Sequence, residues 1–412
     1  MKLYKGSLML QILVRLNSTG PIPRKKMKLY FEDSYDYIYY TKSMKKLIDA
    51  GYVEVYRNKR LNYIRITESG MAALLGKSED PKAVKRETVV TRDKQEEKRQ
   101  QLVNDVKGLC AACGIKTDEA SGRVDIERLL TKEVEEETER EFLENLDTGI
   151  FYTTGELRKA YKERYGENEI ANWTRLVGVV LRNHTISYVY GVNDSLIKWL
   201  PVCESRTVDF IQRMLGEVPV ISKAVQLDQR PNSIICGKSW AMIPKLVYGR
   251  KSGSNKEEDG VVVNGMRAKN ARDHINAYNL AKVYSSAFYA SVNDRGVSAF
   301  NLGTLLSDET REALCDRYFA EREDATRLKS VKGNLGVTKT GERVYYMPCV
   351  DLIELERIKN QGKAGHVVCQ KGTQEGIARV LGPLMISVRD LEGNLLEYGS
   401  YDKNGNPLDR KE

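Results

Sequence analysis

The chain has 412 residues, a formal charge of +9 and 41% hydrophobic residues. That length suits roughly two or three domains, and the apolar content is enough for ordinary globular cores. Its longest apolar stretches, such as Leu8–Val14, fall far short of the ~20 residues that cross a bilayer. Seven scattered cysteines, an odd number, argue against a disulfide framework. No signal-peptide core follows Met1-Lys2-Leu3-Tyr4-Lys5, so the expectation is a soluble, cytoplasmic chain with no membrane partner.

The charge is unevenly placed. Residues 1–75 hold about 14 Lys and Arg against about 6 Asp and Glu, which leaves the remainder close to neutral. A basic module on a neutral body points to a polyanion, most simply nucleic acid.

In chain order, Ser7 is a plausible N-cap for a helix carrying Leu8, Ile12, Leu13 and Leu16, which Gly20-Pro21 stops. Pro23 opens a short basic helix, Arg24-Lys25-Lys26-Met27-Lys28. A third helix is expected over Tyr35–Ala50, with Tyr37, Tyr40, Met44, Leu47 and Ile48 on one face, Lys42, Lys45 and Lys46 elsewhere, and Gly51 as C-cap. Tyr52–Tyr56 and Leu61–Ile66 read as a hairpin joined by Arg57-Asn58-Lys59-Arg60. Thr67 caps a last helix, Glu68–Leu75.

This order of three helices, hairpin and helix resembles a winged helix-turn-helix domain. The resemblance is carried by the Lys42–Ile48 helix, the junction Leu47-Ile48-Asp49-Ala50-Gly51-Tyr52-Val53 and the hairpin end Ile64-Arg65-Ile66-Thr67-Glu68-Ser69-Gly70. It implies that the third helix enters the major groove and that the wing touches the backbone of double-stranded DNA. Lys42, Lys45 and Lys46 are then recognition-helix residues, Arg57, Lys59 and Arg60 wing-tip contacts, and Lys25, Lys26 and Lys28 further DNA-binding residues. A helix without Arg or Gln offers few bidentate base readers. The competing reading is a winged helix used as a protein–protein adaptor, with a merely solvated basic face.

Residues 76–148 read as a charged linker and helical spacer. Lys82–Gln101 has little apolar periodicity, as in a linker or exposed helix. Leu102, Val106, Leu109 and Cys113 then share a helix face, and about seven Glu over 133–144 read as a solvated face. From 149 to 400 strand-like and helix-like runs alternate, which predicts an α/β layer structure. Strands are expected at Leu176–Leu181, Thr185–Tyr190, Leu196–Leu200, Ser233–Cys236, Val283–Val292, Val344–Met347, His366–Cys369 and Leu384–Val388. Helices are expected at Thr207–Leu215, Ser239–Val247, Asp308–Phe319, Val350–Asn360 and Gln374–Leu381. Residues 250–260 and the glycine-rich 333–341 read as loops, and 401–412 as a polar tail. The expected whole is α/β, α+β overall: a winged helix-turn-helix, then a mixed-sheet domain.

Four segments of that domain, Phe151–Leu157, Arg175–Leu181, Val189–Asp194 and Ile197-Lys198-Trp199, make the chain resemble replication-relaxation-type proteins of Gram-positive plasmids and integrative conjugative elements. The resemblance implies mobile-element DNA maintenance: replication, conjugative transfer or transcriptional control. The α/β domain would then serve homodimerisation or contact with a replication or transfer protein.

Some such domains look like a restriction-endonuclease fold, here a degenerate one. Its chemistry needs Asp/Glu-x-Lys on a core strand to hold a metal. The triplets present, Asp80–Lys82, Glu96–Lys98, Asp105–Lys107 and Asp409–Lys411, all miss the predicted core strands, and Asp194 with Lys198 has the wrong spacing. His184, His274 and His366 form no His-x-His pair for a relaxase. Gly76-Lys77-Ser78 and Gly237-Lys238-Ser239 lack the first glycine of a P-loop, and Cys110-x-x-Cys113 is a lone pair where zinc takes four ligands. No catalytic residue, metal ligand or cofactor is assigned. A metal-dependent nuclease or nicking enzyme is the alternative reading.

Overall fold

A computed structural model describes residues 4, 7–28, 31, 35–58, 61–74, 94–118, 121–131, 134–165, 174–182, 184–192, 196–227, 230–249, 274–293, 308–321, 325–328, 335–361, 365–382, 384–389, 394–402 and 406–411. The chain divides into two compact units, Met1–Phe151 and Tyr152–Glu412.

In the first unit, α1 (Leu8–Thr19) starts where expected, with the Ser7 hydroxyl accepting the Leu10 N–H at 3.3 Å. Leu8, Ile12, Leu13 and Leu16 are buried, and Gly20 ends the helix at φ +71°. Then come β1 (Ile22–Pro23), α2 (Arg24–Met27) and α3 (Tyr37–Asp49), the last capped by Asp36. The hairpin β2 (Val53–Asn58) and β3 (Leu61–Ile66) takes β1 against its second strand, giving the antiparallel order β1-β3-β2. α4 (Glu68–Leu74) follows, with Thr67 Oγ1 accepting the Gly70 N–H at 3.0 Å. One shared core holds Ile12, Leu13, Leu16, Ile22, Met27, Met44, Leu47, Ile64 and Met71.

Two expectations change here. α3 begins at Tyr37, so Tyr37 sits in the first turn and is 65% exposed rather than on the buried face. The first hairpin strand runs on to Asn58, because the Arg57↔Asn62 and Asn58↔Leu61 pairs still form.

The spacer is largely helix: α5 (Lys94–Ala112), α6 (Ile126–Leu129) and α7 (Glu136–Thr148). α5 starts eight residues before Leu102, and Asn104 to Cys110 are buried without a break, Asp105 and Lys107 included. The stretch read as a linker or exposed helix is thus helical from Lys94 to Gln101, and residues 82–93 lie outside the described residues. The segment after α5 is tied to α1 by a buried Arg15–Asp118 ion pair, with Arg15 also donating to Thr117 Oγ1 at 2.6 Å. α7 buries Thr138, Phe142, Asn145 and Leu146 and turns Glu136 and Glu137 to solvent.

The second unit contains two mixed sheets. The first has the order β4-β5-β6-β7-β8. It is built from β4 (Ile150–Thr153), α8 (Thr154–Tyr165), β5 (Leu176–Arg182), β6 (Thr185–Gly191), α9 (Pro201–Gly216), α10 (Pro219–Ala224), β7 (Asn232–Gly237), α11 (Met242–Tyr248), α12 (Ala277–Leu280) and β8 (Ala287–Ser291). The second has the order β15-β14-β13-β12-β11-β10-β9. Its elements are α13 (Asp308–Ala320), β9 (Ala325–Arg327), β10 (Leu335–Thr338), β11 (Arg343–Met347), α14 (Leu352–Gln361), β12 (His366–Gln370), α15 (Gln374–Leu381), β13 (Leu384–Arg389), β14 (Leu395–Tyr401) and β15 (Pro407–Lys411).

Three strand expectations are corrected. Leu196–Leu200 forms no strand, only an isolated Lys198–His274 bridge, because Trp199 and Leu196 turn into the core and Pro201 immediately opens α9. Leu335–Thr338, read as loop, is a strand; a Cβ at Gly336 would lie 2.1 Å from the Phe319 ring, so glycine here serves helix–sheet packing. The supposed polar tail supplies β15, an edge strand, where a polar sequence is well tolerated.

Part of the two sheets runs in the same order: an antiparallel hairpin, one or more helices, a parallel strand, one or more helices, and a second parallel strand. The hairpin is β5–β6 in one and β10–β11 in the other, and the parallel pairs are β6–β7–β8 and β11–β12–β13. Short strings recur at matching places. Glu156-x-Arg158-x-Ala160-x-x-x-Arg164-Tyr165 corresponds to Glu309-x-Arg311-x-Ala313-x-x-x-Arg317-Tyr318, and Ile234-Ile235-Cys236-x-Lys238 to Val367-Val368-Cys369-x-Lys371. The two sheets thus repeat part of one strand and helix order. The two sheets join where the Tyr289 N–H donates to the Val350 carbonyl at 2.8 Å and the half-buried Asp351 carboxylate accepts the Ala287 N–H at 3.2 Å.

Candidate nucleic-acid interface

α3 is the surface where the charge and the exposed apolar groups of the first unit meet. Tyr40, Ser43, Met44 and Leu47 point inward. On the opposite side Ile38, Lys42 and Lys45 fall at i, i+4 and i+7, one stripe along the outer face. Tyr39 and Lys46, also seven residues apart, flank that stripe. Lys42, Lys45 and Lys46 are all exposed and make no ion pair with a described residue. Three cations within about 6 Å of helix rise repel one another and favour a polyanion, with Asp49 the acidic residue of the following turn.

The first turn of α3 was not anticipated as a contact surface. Tyr37, Ile38 and Tyr39 are 65%, 58% and 50% exposed. Ile38 and Tyr39 have no place in the core, because the stripe that faces it begins at Tyr40. Their positions are well supported nonetheless. Tyr39 stacks on Tyr35 with centroids 5.9 Å apart, Tyr35 meets Phe31 at 6.5 Å, and Phe31 stacks on buried Tyr40 at 6.2 Å. This aromatic ladder runs from core to surface. Lys28 Nζ lies 5.4 Å from the Tyr37 ring centroid, a cation–π contact that orients the ring. The signal available in the sequence was the run Tyr37-Ile38-Tyr39-Tyr40, in which consecutive large side chains cannot all face one core.

The remaining basic positions are dispersed. Lys25 is exposed on α2 and Lys28 is half-buried; the Lys26 side chain lies outside the described residues. Arg57 is exposed on β2, while Lys59 and Arg60 lie outside the described residues. The hairpin itself is braced by a Tyr56–Tyr63 stack at 5.6 Å, by Arg65 over the Tyr56 ring and by an Arg65–Glu54 ion pair.

In the second unit the conspicuous polar groups are enclosed. Glu204 on α9 is 1% exposed, and its carboxylate accepts from Thr174 Oγ1 at 2.7 Å, the Arg175 N–H at 3.0 Å and the Tyr190 hydroxyl at 3.0 Å. Tyr190 and Tyr284 share a hydrogen bond of 2.6 Å. Burial pushes the Glu204 carboxyl above its ordinary range, against its three donors. His366 Nε2 and Ser387 Oγ, 2.7 Å apart on neighbouring strands β12 and β13, satisfy each other beside a cavity of about 340 Å³. A wider cleft of about 720 Å³ lies beside His184, Arg213 and Lys223.

The motifs weighed for catalysis fare as follows. Glu96–Lys98 and Asp105–Lys107 lie on helix α5, Asp409–Lys411 lies on edge strand β15, and Asp80–Lys82 and Asp194 are outside the described residues. Among the described residues no three His, Cys, Asp or Glu are grouped as metal ligands. Gly237 of the second Gly-Lys-Ser triplet is explained by packing: a Cβ there would lie 2.1 Å from the Tyr289 hydroxyl, which itself donates to the Ser239 carbonyl. Cys110 is buried at the end of α5 and Cys113 half-buried just past it, both as free thiols. Among the described residues no helix is long and apolar enough to cross a membrane. No known protein family, curated protein or solved structure matches the chain.

Proposed function

We propose that the first unit is a winged helix-turn-helix module that binds double-stranded DNA, with α3 as the groove-entering helix and the β2–β3 hairpin as the wing. The observation that carries this reading is the lysine stripe on the outer face of α3, exposed and without ion-pair partners. The element order and the β1-β3-β2 sheet support the same assignment, since such a module presents one helix and one hairpin on a common frame. Lysines supply phosphate affinity that does not depend on sequence. The α/β unit then serves as a platform for a second copy or for a replication or transfer partner. The setting proposed, maintenance or transfer of a mobile element, rests on the short strings of the second unit quoted above.

The test is binding of the full chain to a mixed-sequence duplex at low salt, by fluorescence anisotropy. The Lys42→Ala/Lys45→Ala/Lys46→Ala variant is expected to bind about tenfold or more weakly, having lost several phosphate contacts. Wild-type binding that the triple substitution leaves intact removes α3 from the interface.

A further inference from the structure

We propose that α3 reads thymine, through contact of Ile38 with the 5-methyl groups that thymine displays in the major groove. This rests on the DNA-binding reading above and goes beyond it, because lysines alone recognise no base. The argument starts from position. When a helix of this kind enters the groove, its N-terminal residues meet the base edges and later turns lie nearer the phosphates. In α3 the first turn carries Tyr37, Ile38 and Tyr39, and the second and third carry Lys42, Lys45 and Lys46. The apolar part thus precedes the charged part in the order that docking requires.

Chemistry narrows the ligand. Ile38 has no donor or acceptor, and the one apolar group on a base edge in the major groove is the thymine methyl. Ile38 lies on the same outer stripe as Lys42 and Lys45, so a surface that receives the lysines also receives Ile38. A second copy of the same face would bring six lysines together, which charge repulsion opposes. RNA duplexes have a major groove too narrow to admit the helix. The rings on either side of Ile38 are already held, Tyr39 by the stack to Tyr35 and Tyr37 by Lys28, so little side-chain freedom is lost on docking.

The experiment uses the full chain and two duplexes of one alternating sequence, built with thymidine or with deoxyuridine, which differ only in the methyl groups. Wild type is expected to prefer the thymidine duplex by about fourfold for each methyl covered. Ile38→Ala should abolish the preference while keeping the salt-sensitive affinity due to the lysines, and Ile38→Val should retain most of it. Ile38 is 58% exposed, so neither change endangers the fold, and circular dichroism verifies that. Equal affinity of wild type for both duplexes overturns the thymine proposal and leaves the DNA-binding reading standing. So does a preference that Ile38→Ala does not alter. Absence of binding to either duplex overturns both. A wild-type dimer that Ile38→Glu dissociates, without any difference between duplexes, assigns the face to a protein partner and also overturns the proposal.

Discussion

Tyr37 and Tyr39 of α3 leave half or more of their surface in solvent, while Tyr188, Tyr190 and Tyr284 of the second unit are wholly enclosed with their hydroxyls bonded. The first pair is exposed beside lysines that make no ion pair with a described residue, and contributes little to any core. The second group closes a network around Glu204 and pins β6 to α9. A tyrosine count therefore says nothing about function in this chain; what distinguishes the two groups is whether the ring lies between packed layers or on a helix face that also carries charge.

The comparison can be tested by substitution, beginning with the largest effect. Arg15→Met breaks the buried ion pair with Asp118 that ties α1 to the segment after α5, and should cost about 3–5 kcal/mol in the first unit's urea transition. A cost below about 1 kcal/mol would mean that the spacer segment does not hold the module in place. Next, Tyr190→Phe removes a hydroxyl shared by Glu204 and Tyr284 and should cost about 1–3 kcal/mol with duplex binding unchanged. Tyr39→Ala, by contrast, should lower duplex affinity while moving stability by less than about 1 kcal/mol. Reversal of that pattern would dissolve the distinction between the two groups.

Glu204→Gln sharpens the account through pH. Because burial raises the folded-state value of Glu204, the folded protein holds this proton more tightly than the unfolded chain, and stability from this group falls as pH rises from its ordinary value of 4.5. The gap between wild type and the Gln variant in urea titrations should therefore shift in favour of the variant above that pH; a gap that does not move contradicts a raised value. The smallest effect is expected for Tyr40→Phe. The Tyr40 hydroxyl is buried without a hydrogen-bond partner among the described residues, so its removal should be neutral or stabilising by up to about 1 kcal/mol. Clear destabilisation would show that the hydroxyl is bonded after all.

Much of the first unit was legible because its signals are local. Ser7, Gly20, Thr67 and the spacing of Leu8, Ile12, Leu13 and Leu16 fix helix ends and faces without tertiary information. The lysines of α3 were found from charge alone. The aromatic first turn was missed, since Tyr37 keeps the phase of the buried stripe but lies a turn ahead of Tyr40, where that stripe begins. Buried Asp105 and Lys107 were illegible because a charged residue is expected in water unless its partners are known. In the second unit the longer apolar strands were found, but β9, β10, β14 and β15 are short, glycine-bearing or polar and form only by pairing with neighbours.

The salt dependence of duplex binding tests the central claim most directly. Wild type should lose affinity linearly with the logarithm of salt concentration, and the Lys42/Lys45/Lys46 triple alanine variant should show a slope smaller by about 2.7, roughly 0.9 for each phosphate contact removed. A parallel line for the variant would show that α3 does not face the DNA.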